Sequence, residues 1–183
     1  NSFTCCVGTG MESHALHADG VYYEDGERLY VNLYMPSTAE WSDAGAGLAM
    51  ETDFPIGETA RLRLSMERPR ELTLALRRPY WTGDGFAVTV NGEPIDVPDT
   101  EPAEWRQERS QYPVAADAKS SYVEVTRTWR SGDTVEVTLP KSLRIEATPD
   151  MPRRVALMWG PLVLAGDLGP ERRRRWGEQE ERE

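Results

Sequence analysis

Two adjacent thiols, Cys5 and Cys6, are the only cysteines in this chain of 183 residues. They stand just ahead of Thr9-Gly10-Met11-Glu12, a Thr-x-x-Glu spacing in which hydroxyl and carboxylate satisfy each other's unpaired amides at a helix start. This predicts a short helix with Met11, Ala15, Leu16 and Ala18 at helical spacings and a stop at Asp19-Gly20. Free amides at a helix mouth favour the thiolate form, which is both a nucleophile and a metal ligand. Two neighbouring thiolates can hold one thiophilic ion such as zinc, but a zinc site takes about four protein ligands, or three and an open position. The competing readings are a buried reduced pair and a vicinal disulfide, which is strained because adjacent Cα atoms stand only about 3.8 Å apart. Glu12 is explained by the cap, and His14 and His17 by packing or solvent on a short amphipathic helix.

The elements that must position these groups follow from Val21 onward, where the apolar period changes from helical to two. Leu29, Val31, Leu33 and Met35 alternate with Arg28, Tyr30, Asn32 and Tyr34; Leu62, Leu64 and Met66 alternate with arginines and Ser65; Leu72, Leu74 and Leu76 do likewise. Phe86, Val88 and Val90 run into Asn91-Gly92, which tolerates the positive φ values of a tight hairpin turn, and Ile95 and Val97 continue beyond it. A second hairpin is expected where Val123, Val125 and Trp129 meet Ser131-Gly132-Asp133 and then Val135, Val137 and Leu139. Leu143 and Ile145 mark another strand. The apolar runs 155–159 and 162–165, split by Gly160-Pro161, predict central strands buried on both faces.

These short alternating runs predict a mainly β chain, an antiparallel β-sandwich over residues 21–169 behind a helical segment at 1–20. Residues 99–121, rich in polar groups and prolines, predict a long loop, and 170–183 a disordered tail. Of the large aromatics, Trp129 and Trp159 are expected in the core. Trp81 and Trp105, beside a turn and in the loop, are the candidates for an exposed sugar-stacking platform.

The net charge of −10 would repel phosphate backbones and anionic lipid, which argues against nucleic acid and membrane surfaces as partners. No run approaches the roughly 20 apolar residues of a membrane span. A start at Asn1 without initiator Met or signal-peptide pattern is expected of a piece of a longer protein. Two unpaired thiols favour a reducing, cytoplasmic compartment.

The stretch Cys5-Cys6-Val7-Gly8-Thr9-Gly10-Met11-Glu12-Ser13-His14 resembles the signature of glycoside hydrolase family 127, the β-L-arabinofuranosidase group and its relatives. The likeness continues, in the family's order, through Leu29-Tyr30-Val31-Asn32-Leu33-Tyr34-Met35-Pro36-Ser37, Leu76-Arg77-Arg78-Pro79-Tyr80-Trp81, Val90-Asn91-Gly92, Arg127-Thr128-Trp129 with Gly132-Asp133, and Gly160-Pro161-Leu162-Val163-Leu164-Ala165-Gly166. The residues after the pair, Val7-Gly8-Thr9-Gly10, differ from the Cys-Cys-Pro-Pro of the best-known type and are similar to other branches.

The resemblance implies a bacterial, retaining, exo-acting glycosidase whose (α/α)6 helical barrel precedes the sandwich, residues 1–20 being the end of that barrel. By motif position Cys5 is the nucleophile, a zinc-bound thiolate, and Cys6 a second ligand to the same Zn2+. A Glu and a Cys completing the metal shell, and the acid/base Glu, lie upstream of Asn1 in such proteins. This chain by itself is then expected to be inactive and to hold zinc weakly or not at all, and the substrate of the intact enzyme to be a plant-derived oligosaccharide. The alternative is a non-catalytic module, either carbohydrate-binding or structural.

Overall fold

A computed structural model describes residues 4–97, 121–148 and 151–166. Helix α1 (Thr4–Ala15) is followed by β1 (Tyr22–Asp25), β2 (Arg28–Val31), β3 (Ser37–Trp41), β4 (Ala46–Thr52), β5 (Thr59–Met66) and β6 (Arg70–Arg78). Then come β7 (Ala87–Val90), β8 (Glu93–Pro94), β9 (Ser121–Trp129), β10 (Thr134–Thr138), β11 (Leu143–Thr148), β12 (Met151–Trp159) and β13 (Leu162–Val163). The chain is mainly β, as its period predicts. One sheet runs β1-β2-β6-β9 and a second runs β3-β4-β5-β10-β7-β8; all neighbours are antiparallel except β2 and β6. The expected loop over 99–121, with Trp105, and the expected tail fall almost entirely outside the described residues.

The two sheets enclose one core because each strand turns every second side chain inward. Leu29, Val31, Leu72, Leu74, Leu76, Val123, Val125 and Trp129 from the first sheet belong to the same buried cluster as Leu48, Met50, Leu62, Leu64, Val88, Val90, Val135 and Val137 from the second. Trp129 lies at its heart, fully buried, its indole Nε1 donating to the Leu72 carbonyl at 3.0 Å. The Asn91-Gly92 turn takes the expected form, with φ of 53° and 84°.

Four expectations about the elements are corrected. The inward alternation of β2 ends at Val31: Tyr34 is buried, its hydroxyl donating to the Arg77 carbonyl at 2.7 Å, while Leu33 and Met35 are 41% and 36% exposed. The strand stops before Pro36, so the phase beyond it is set by the turn into β3 and not by the pleat. Ser131-Gly132-Asp133 does not close a hairpin either. β9 pairs with β6 in one sheet and β10 with β5 and β7 in the other, and Gly132 N–H donates to the Leu64 carbonyl at 2.8 Å across the corner. Turn chemistry is the same whether a chain reverses within a sheet or steps between two.

The apolar runs 155–159 and 162–165 are not central strands. With β11 they build a separate three-stranded sheet, β11-β12-β13. Its register places Leu143, Ile145, Val155, Leu157, Trp159 and Leu162 on one face, and these are exposed, Ile145 by 67%. Of the two runs' apolar strand residues only Met158 is buried. The opposite face is latched by polar groups: Tyr80 Oη donates to Glu146 at 2.8 Å, Arg144 pairs with Glu146 at 2.7 Å and also donates to the Gly160 carbonyl. The fourth correction concerns α1 and belongs to the site.

Candidate functional site around helix α1

The Thr9–Glu12 capping box does not form. α1 spans Thr4–Ala15, so Thr9 is mid-helix and its hydroxyl donates back to the Cys5 carbonyl, four residues earlier, at 3.1 Å. Cys5 and Cys6 therefore lie in the first turn of the helix and not ahead of it, where amides N–H still lack intrahelical acceptors. Both are free and exposed, so neither the buried pair nor the vicinal disulfide holds. Their sulfurs are 3.7 Å apart. Two thiolates on one tetrahedral zinc, with Zn–S of about 2.3 Å, stand about 3.8 Å apart, so the pair matches two corners of such a shell. Among the described residues no three His, Cys, Asp or Glu side chains converge to complete it.

Helical spacing sorts the rest of α1. Cys5, Thr9, Glu12 and Leu16 follow at intervals of four, three and four, sharing one side, whereas Cys6 is turned about 100° from Cys5. Thr9, Glu12, Ser13, Leu16, His17, Gly20 and Leu33 line an open cleft of about 390 Å³ between the helix and the segment that follows β2. His14 and His17 touch each other, Nδ1 to Nε2, at 3.2 Å.

One polar knot ties this helical segment to the sandwich. Asn32 Nδ2 donates to the Gly20 carbonyl at 2.7 Å, and its Oδ1 accepts from Arg77 Nη1 at 2.7 Å and Tyr122 Oη at 2.8 Å. The backbone amides of Asn32 and Leu33 both reach the Val21 carbonyl. Arg77 is held in turn through its carbonyl by Tyr34, whose burial pushes the phenol well above its usual range. Sequence reasoning placed Asn32 merely among the outward residues of an alternating strand; a lone Asn amid Leu-Tyr-Val-Asn-Leu-Tyr was the available signal.

Trp81 does not stand out as the exposed platform expected of it. Trp81 is half-buried, packed against the core and stacked on Phe54 at 5.8 Å with only 9° between the rings. Trp159, expected in the core, is 39% exposed on the third sheet. Trp105 lies outside the described residues.

Comparison with known proteins matches residues 28–141, well over half the chain, to the family described as β-L-arabinofuranosidase, GH127 middle domain. A GH127 β-L-arabinofuranosidase from Geobacillus stearothermophilus T6 is 28% identical over 87% of the chain, with a TM-score of 0.67. A structure described as a glycoside hydrolase is 27% identical over 88%, with a TM-score of 0.70, and a GH127 β-arabinofuranosidase is 27% identical over 78%, with a TM-score of 0.60. The chain spans about a quarter of the length of these structures, 23%, 25% and 23% respectively. No curated protein matches it.

Proposed function

Because the chain belongs to the GH127 β-L-arabinofuranosidase family, we propose that it is part of a retaining glycoside hydrolase in which Cys5 is the nucleophile and Cys6 its fellow zinc ligand. The observation that carries this reading is the pair of exposed sulfurs 3.7 Å apart in the first turn of α1, N-terminal to the matched residues 28–141. Zinc, held by both sulfurs and by donors from a preceding helical barrel, would keep the thiols ionised at neutral pH.

The division of labour follows from what retention requires. The Cys5 sulfur attacks the anomeric carbon; the C–S bond forms as the glycosidic C–O bond breaks, and a carboxylic acid from the barrel gives its proton to the leaving oxygen. That carboxylate then takes a proton from water, whose oxygen attacks the same carbon and releases the sulfur. Asn32, through Gly20, fixes the helix against the sandwich so that the sulfur keeps its aim. The substrate proposed is a plant-derived oligosaccharide ending in L-arabinofuranose, and the setting a reducing compartment where free thiols persist. Alone, with two metal ligands and no acid/base, the chain is not expected to turn over. Among the described residues no helix is long and apolar enough to cross a membrane.

The test is Cys5→Ser in the full-length polypeptide, with zinc measured beside turnover. Loss of turnover is expected; a Cys5→Ser protein as fast as wild type refutes the assignment.

The exposed apolar face of β11-β12-β13 favours a second reading, a non-catalytic module that packs against a partner. An isolated chain that binds no apolar dye and stays monomeric would count against it.

A further inference from the structure

Glu12 has lost the role its sequence context assigned to it. With Thr9 bonded to Cys5, no capping box exists, and the Glu12 side chain has no hydrogen-bond or ion-pair partner among the described residues. Glu12 instead lines the 390 Å³ cleft, on the side of the helix that carries Cys5. The rest of that wall is mixed: hydroxyls from Thr9 and Ser13, the imidazole of His17, and the apolar side chains of Leu16 and Leu33.

This lining selects for chemistry. A carboxylate accepts two hydroxyl donors at once and, unlike a neutral acceptor, does so through charge-assisted bonds. The leucines suit the C–H face of a ring. An anionic ligand would meet both Glu12 and a chain of net charge −10. A neutral, hydroxyl-rich ligand avoids that repulsion, and under the proposed role of Cys5 the ligand presented to this cleft is a sugar.

Spacing then says which sugar unit. Glu12 lies seven positions beyond Cys5, about 10.5 Å along the axis at about 1.5 Å per residue; both side chains lean toward the N-terminus, and the longer reach of Glu12 shortens that gap. A ring bonded to the Cys5 sulfur does not fill that distance; the next ring along the chain reaches it. Resting on the proposed role of Cys5, we infer that Glu12 binds the hydroxyls of the second sugar unit of the substrate, making the cleft a subsite that reads oligosaccharide length.

The experiment uses the full-length polypeptide carrying Cys5→Ser, with and without Glu12→Gln, titrated calorimetrically with a disaccharide of L-arabinofuranose and with its methyl monoglycoside. Glu12→Gln is expected to weaken the disaccharide about tenfold and to leave the monoglycoside within twofold. Glu12→Asp, which keeps the charge but shortens the reach, should fall between. A merely structural Glu12 would weaken both sugars alike, and that outcome, no change, or no disaccharide binding at all overturns the inference. Turnover by Cys5→Ser would sink the thiolate reading separately, since the Glu12 comparison is then read as a disaccharide-only rise in KM.

Discussion

Trp129→Phe is the sharpest probe of the sandwich that carries α1. Trp129 is fully buried and its indole N–H is the donor to the Leu72 carbonyl at 3.0 Å. Phenylalanine leaves roughly 40 Å³ of the site empty, which at about 24 cal/mol per Å³ costs about 1 kcal/mol. The Leu72 carbonyl loses its side-chain donor in a dry interior, for about 1–2 kcal/mol more. The sum, about 2–3 kcal/mol, corresponds to a fall in Tm of about 5–10 °C for a chain of this size. Urea unfolding followed by far-ultraviolet circular dichroism measures it without depending on the indole removed. Trp159→Phe serves as the control, because that ring is 39% exposed and should cost under about 0.5 kcal/mol. Equal losses at the two positions would refute the placement of Trp129 at the centre.

Other perturbations test the corners and the latch. Gly92 has φ of 84°, so Gly92→Ala should cost about 1 kcal/mol in a denaturant titration. Lys141 Nζ donates to the carbonyls of Pro55, Ile56 and Gly57 at 2.8, 2.7 and 2.9 Å; Lys141→Met should lose about 1–2 kcal/mol and hasten proteolysis at 53–57. The hydrogen bond from Tyr80, then those from Arg144, hold the Glu146 carboxyl below its ordinary value of 4.5. Its contribution is therefore complete above pH 4.5 and fades as pH falls through the lower folded value. Thermal melts should show Glu146→Gln less stable than wild type at pH 7, with the gap closing in acid; a gap constant with pH would contradict the latch.

The sandwich was legible where a strand has one wet and one dry face. Period-two patterning located β5, β6, β7, β9 and β10 because their inward residues meet a partner within this chain. It failed where that condition fails: continuous apolar runs look alike whether buried on both faces, as expected of 155–165, or bare on one, as found. The second hairpin was misread because Ser131-Gly132-Asp133 records a reversal but not which sheet receives the next strand. At the site, the Cys pair was visible as residue types, and its place in the first turn was not, since Thr9 and Glu12 fit a cap equally well on paper. Asn32 was hidden because its three partners, Gly20, Arg77 and Tyr122, are brought together only by the finished fold.

The parallel pairing of β2 with β6 bears on how the chain assembles. Leu29 finds its neighbour in Leu74, and the whole β3-β4-β5 meander lies between them in the chain. The meander joins strands that follow one another directly, as at Trp41 and Ala46, and can zip early. The sheet bearing β2 waits for a long segment to return, an entropic cost repaid late. During synthesis, a chain halted before Arg70 leaves β2 with β1 as its one sheet neighbour, so that edge of the first sheet stays open until β6 arrives.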